Sequence, residues 1–128
     1  MAEAIPDPLR RFLLTGALTI PHVEAILQLR QRRERTLDAG GLAARLYLRA
    51  GSAADLLSDL LAMGVTEQVA ADPPAYRYRP ASADLADLLD QLDLAYTTQL
   101  VAVTRLIHSI EERKAHDFSN AFRWRKNT

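Results

Sequence analysis

Apolar residues recur at intervals of three and four in three stretches of the first half of the chain. This spacing places one apolar face on each stretch and therefore predicts three amphipathic helices. We expect these helices over residues 20–35, 39–46 and 52–63.

Residues that favour helix ends bracket these stretches. Asp38 is the expected cap of the second helix and Ser52 of the third, because short polar side chains accept hydrogen bonds from first-turn N–H groups. Asp55, three residues beyond Ser52, is the expected capping-box acid. Gly64 is expected to end the third helix in a left-handed conformation.

After the third helix the pattern changes from helical spacing to alternation. Residues 65–70 and 76–79 predict two strands, and the prolines between them favour a turn. An isolated hairpin is only marginally stable in water, so it must pack on the helices. We expect Tyr76 and Tyr78 to face the core and the arginines that alternate with them to face outward.

The longest apolar pattern, over residues 81–113, predicts one uninterrupted helix. About 31 residues that rise about 1.5 Å each give a rod of about 46 Å. A compact chain of this length has a radius of gyration near ~14 Å, so the rod needs cover from outside its domain. Self-association into a homodimer is the favoured interpretation; the alternative is a helix that folds back near residues 95–98 and is covered within one chain. The expected dimer contacts are Leu89, Leu92, Tyr96, Leu100, Val103 and Ile107.

Residues 36–65 carry a Leu-Ala-x-x-Leu core from Leu42, a serine at the start of the third helix and a Leu-x-x-Met-Gly-Val exit from Leu60. In these features the chain resembles the bacterial MarR-type winged helix-turn-helix regulators, over roughly residues 20–80. The resemblance implies a homodimer on a palindromic operator, with the third helix in the major groove of DNA.

The predicted fold is mainly α with a small β-hairpin: a winged helix-turn-helix followed by a long C-terminal dimerisation helix. The apolar run that follows Arg10 and Arg11 is expected to be a packing arm and not an export signal, because no small-residue cleavage site follows it. The expected parts are an N-terminal arm (1–19), the winged helix-turn-helix domain (20–80), the dimerisation helix (81–113) and a basic aromatic tail (114–128).

Composition restricts the classes of protein to consider. The 128 residues are 48% hydrophobic and 25% charged, with 16 basic and 16 acidic residues, which is ordinary for a globular domain and excludes a disordered polyelectrolyte. The chain has no cysteine, which excludes thiol catalysis and thiolate metal sites and suits a reducing cytoplasm, where we expect the protein. No apolar stretch approaches the ~18 residues that a membrane span needs, so we expect no membrane partner.

The outward positions of the predicted third helix carry serine, alanine and aspartate, and no residue suited to read base edges. The candidate DNA-facing residues are therefore Arg49, Ser52, Arg77 and Arg79. The arginines within residues 30–35 are either phosphate contacts or a solvated helix end. We expect a DNA-binding transcriptional regulator; the alternative is a protein-interaction module that has lost DNA binding and uses the acidic third helix or the tail.

No feature indicates an enzyme. His22, His108 and His116 follow no metal-binding spacing, and the sequence has no phosphate-binding loop or nucleophile elbow. We therefore expect no catalytic residue, no cofactor and no metal. The aspartates spaced three apart over residues 84–93 are expected to form a solvated face near the positive end of their helix.

The tail interleaves Phe118, Phe122 and Trp124 with basic residues. Because aromatic side chains are costly to leave in water, we expect this segment to dock on the domain or on a dimer partner. The alternatives are a partner-binding peptide and a basic arm on DNA phosphates.

Overall fold

The computed structural model describes residues 5–16 and 18–126; beyond residue 117 the only side chain it describes is that of Ser119. The described chain is mainly helical with one small antiparallel sheet, as predicted. It forms two compact units. The central unit is Ile20–Asp93, and the terminal unit joins the described residues before Ile20 to those from Leu94 onward.

The described elements follow one another along the chain. They are α1 (Asp7–Gly16), α2 (Ile20–Gln31), β1 (Leu37–Asp38), α3 (Ala39–Leu46), α4 (Ala50–Ala62), β2 (Thr66–Ala71), β3 (Pro74–Tyr78), α5 (Ala83–Thr98) and α6 (Leu100–Lys126). Within the central unit, α2 contacts both α3 and α4, and α3 packs against α4.

The core of the central unit comes from the apolar faces that the helical spacing predicts. Its fully buried side chains include Val23, Ile26, Leu29, Leu42, Leu57 and Leu60. Removal of most of one such leucine side chain typically costs about 2–5 kcal/mol, so these contacts fix the positions of the three helices.

The sheet has the order β1-β3-β2, with both pairs antiparallel. Leu37 lies opposite Tyr76, and Thr66 lies opposite Tyr78. Tyr76 is buried, as predicted, whereas Tyr78 is half-buried. The two-residue strand β1 is too short to stand out in the alternation of the sequence.

Two predicted helix ends are confirmed. The Asp38 carboxylate caps α3 and accepts a hydrogen bond from the Gly41 N–H at 2.7 Å. Gly64 follows α4 with φ +82°, and the next N–H, of Val65, donates to the Leu60 carbonyl. This left-handed turn ends the helix and leads directly into β2.

The predicted start of α4 is wrong. The helix begins at Ala50, because the Ala53 N–H already donates to the Arg49 carbonyl at 3.0 Å. Arg49 occupies the cap position and makes no side-chain capping bond. Ser52 therefore lies inside the first turn, and Asp55 is too far along the helix to act as a capping-box acid.

The prediction of one helix over residues 81–113 is also wrong. The helix is interrupted at Gln99, between α5 and α6. The Thr98 hydroxyl donates to the Leu94 carbonyl at 2.7 Å, and β-branched residues in this stretch have low helix propensity. The second helix then continues through Lys126, past the boundary predicted at residue 113.

The predicted N-terminal arm contains a helix, α1, whose apolar face is buried. Leu9 and Leu13 on this helix are fully buried, and α1 contacts α6 within the terminal unit. Among the described residues no single helix is long and apolar enough to cross a membrane.

Candidate nucleic-acid interface

The exposed face of α4 is small, polar and acidic. Helical spacing buries Ala53, Leu56, Leu57 and Leu60, while the positions between them are exposed. The exposed polar side chains are those of Ser52, Asp55, Ser58 and Asp59. Carboxylates repel DNA phosphates, and short hydroxyl side chains distinguish the base edges only weakly. Most of this helix is therefore poorly suited to contact DNA.

One of these carboxylates has a partner on a neighbouring helix. His22 Nε2 on α2 lies 2.9 Å from Asp59 Oδ2 on α4. The two residues are 37 positions apart, so no local sequence pattern links them. The contact connects two core helices at their surface.

The start of α4 has a different character. Arg49 and Ser52 are both exposed there, and Arg49 forms no ion pair in the described part of the chain. The Arg49 side chain makes no capping hydrogen bond, which leaves first-turn N–H groups of α4 as donors. These free donors and the helix dipole make this end of the helix locally positive.

The other two predicted DNA-facing residues are already paired. Arg77 Nη2 lies 3.3 Å from Glu67 Oε1, and Arg79 Nε lies 3.2 Å from Glu67 Oε2. Glu67 is directly opposite Arg77 in the β2–β3 ladder. One carboxylate therefore offsets part of the charge of both guanidinium groups, although their side chains remain 41% and 69% exposed.

These arginines share an open groove with Arg33, which follows α2. The groove has a volume of about 560 Å³ and includes Tyr78 in its lining. The Arg33 guanidinium carbon lies 6.0 Å from the centre of the Tyr78 ring, at the outer limit of a cation–π contact. The Tyr78 hydroxyl is buried without a hydrogen-bond partner, and burial raises the pKa of this group.

Arg30 differs from the other arginines of residues 30–35, which are exposed, because its guanidinium is paired. Its Nη2 atom lies 2.7 Å from Asp90 Oδ1, and its Nη1 atom also contacts the Asp93 carboxylate. The hydrogen bond with Asp90 raises the pKa of Arg30. The same contacts show that Asp90 and Asp93 do not simply form a solvated face of α5.

Most of the predicted dimer contacts are covered within the chain. Leu89, Leu92, Val103 and Ile107 are fully buried, so they are not available to a second copy in this structure and that part of the prediction is wrong. Tyr96 is half-buried and Leu100 is exposed. The exposed large apolar side chains in this region are Leu94, Leu100 and Val101.

The structure thus divides the four predicted DNA-facing residues into two pairs. Arg49 and Ser52 lie together at the start of α4, and Arg77 and Arg79 lie together beside Glu67.

Within residues 5–16 and 18–126, no three acidic or histidine side chains converge on a point that could hold a metal ion. The side chains of Phe118, Phe122 and Trp124 lie outside the described residues. No protein-family model and no curated protein matches this chain.

Proposed function

We propose that the central unit is a winged helix-turn-helix that binds double-stranded DNA, and that the protein is a cytoplasmic, non-catalytic transcriptional regulator. The observation that carries this proposal is the succession α2, α3, α4 and the β2–β3 hairpin, with β1 paired to β3. This order agrees with the resemblance of residues 36–65 to MarR-type regulators. Because a fold does not fix a function, the side chains must decide how DNA is bound.

In this proposal the first turn of α4 makes the principal DNA contacts. Arg49 pairs with a phosphate, and Ser52 donates a hydrogen bond to the DNA backbone beside the free N–H groups of the helix start. Asp55 and Asp59 keep the remainder of the helix away from the phosphates. Phosphate contacts carry no base information, so we expect a weak preference among DNA sequences.

We also propose that the regulator is a homodimer, as its resemblance to MarR-type regulators implies. The exposed apolar side chains near the helix interruption provide a first contact for a second copy: Leu94, Leu100 and Val101. Sedimentation at micromolar concentration checks this point. A strictly monomeric protein would contradict it.

A salt titration with a mixed-sequence duplex of about 24 base pairs tests DNA binding. We expect measurable binding at ~50 mM salt and a steep loss of affinity as salt increases. Arg49→Ala should weaken binding about fivefold to tenfold and reduce the salt slope by about one, because one phosphate contact is lost. Arg105→Ala is the matched control, since Arg105 is an exposed, unpaired residue of α6 in the described chain, and it should bind like the wild type.

A protein-binding module is the second candidate, favoured by the acidic exposed face of α4 and by the exposed Leu61 beside it. Asp55→Asn separates the two candidates because it removes one negative charge from that face. DNA affinity should increase if α4 lies near phosphates. Absence of wild-type binding to DNA at ~50 mM salt would overturn the first candidate and leave the protein partner.

A further inference from the structure

Tyr47, between α3 and α4, has a backbone conformation that tyrosine rarely adopts. Its φ and ψ are 57° and 43°, which is the left-handed helical region. Its N–H donates to the Ala43 carbonyl, and the N–H of Leu48 donates to the same oxygen at 2.9 Å. Glycine usually occupies such a position, because a side chain there costs roughly 1–2 kcal/mol.

The side chain of Tyr47 does not offset this cost by packing in the folded chain. It is 95% exposed, which is the largest exposure among the exposed large apolar residues of the described chain. Tyr76 and Tyr78 are buried and half-buried by contrast. An exposed aromatic ring on a strained backbone is typical of a residue that contacts a binding partner.

The surroundings of Tyr47 favour an anionic partner. Arg45 and Arg49 lie two residues before and two residues after it, and neither forms an ion pair in the described part of the chain. No acidic residue lies between Asp38 and Asp55 along the sequence. This stretch therefore combines an exposed ring and a free hydroxyl with two available positive charges.

We propose that Tyr47 anchors the protein on the DNA backbone. Its hydroxyl donates a hydrogen bond to a phosphate oxygen, its ring packs on the adjacent deoxyribose, and Arg45 pairs with a neighbouring phosphate. This inference rests on the proposed DNA-binding function and adds a contact, outside α4, that holds the helix start against the duplex. An aromatic hydroxyl on a phosphate is independent of base sequence, as is the contact of Arg49.

Tyr47→Gly and Tyr47→Phe test the anchor in the full-length protein. Tyr47→Gly should raise the melting temperature, because it removes the left-handed strain, and yet weaken binding to the mixed duplex by about tenfold. Tyr47→Phe keeps the ring and should weaken binding by about threefold to tenfold, through loss of a hydrogen bond to a charged group. Neither variant should change the salt slope by as much as Arg49→Ala does, because tyrosine carries no charge.

Tyr76→Phe is the matched control, since Tyr76 is buried and lies outside the arginine groove, and it should bind like the wild type. Wild-type affinity in Tyr47→Gly would overturn the anchor and leave the proposed function standing. Wild-type affinity in Tyr47→Phe would overturn the hydroxyl contact. Failure of the wild type itself to bind DNA at ~50 mM salt would overturn both proposals.

Discussion

The chain twice places a tyrosine between two arginines, and the two sites differ in almost every physical respect. In the turn between α3 and α4, Tyr47 is almost fully exposed and its flanking arginines form no ion pair in the described chain. In the hairpin, Tyr78 is half-buried under Arg33, and the arginines on either side of it share the Glu67 carboxylate.

The difference shows that the availability of a charge depends on its neighbours in space. Cross-strand register brings Glu67 opposite Arg77, so the hairpin supplies its own counter-charge. No described strand faces the turn between α3 and α4, and in the described chain neither Arg45 nor Arg49 has an ion-pair partner. Similar residue types are therefore structural in one place and free to bind a partner in the other.

The largest expected difference between the two sites is in stability. Tyr78→Ala should lower the free energy of unfolding by about 2 kcal/mol, because it removes a half-buried ring that packs in the hairpin. Tyr47→Ala should leave it unchanged, since that ring contacts solvent. Urea denaturation of the two variants measures both values, and equal losses would contradict the distinction.

A smaller effect is expected from removing the counter-charge of the hairpin. Glu67→Gln frees Arg77 and Arg79, so DNA affinity at ~50 mM salt should rise about tenfold and the salt slope should become steeper. Glu34→Gln is the control: Glu34 is exposed and has no ion pair in the described chain, so its loss frees no arginine. If the two variants bind DNA alike, release of the arginines is not the cause of any gain.

The smallest expected effect is on alkaline stability. Burial raises the pKa of Tyr78, so the folded protein keeps this proton at a pH at which the unfolded chain has begun to lose it. The contribution of the Tyr78 hydroxyl to the free energy of unfolding is therefore complete below pH ~10. It is lost as the pH rises through the folded-state pKa. The unfolding free energy of the wild type should thus fall more steeply above pH ~10 than that of Tyr78→Phe. Parallel curves would show that this hydroxyl is not responsible.

Local rules of sequence predicted much of the central unit. Spacing of apolar residues located its helices, the Asp38 cap and the Gly64 turn followed from residue type, and alternation located the hairpin. The start of α4 was missed because Ser52 is a good cap in principle, whereas backbone hydrogen bonding began earlier, at Arg49.

Contacts between distant residues were beyond the reach of those rules. The partners of His22 and Arg30 are separated from them by 37 to 63 positions, and helical or strand periodicity carries no information at that range. The left-handed conformation of Tyr47 was missed for another reason. Residue type argues against it, and only the geometry of the turn reveals it.

The attachment of Arg30 to Asp90 and Asp93 changes where the central unit can be cut. A fragment that ends at residue 80, where the strand pattern stops, would retain the guanidinium and discard both carboxylates. A fragment that extends through Asp93 would retain the complete cluster. A fragment that keeps the Arg30 ion pairs must therefore include the first part of α5, which belongs to the central unit.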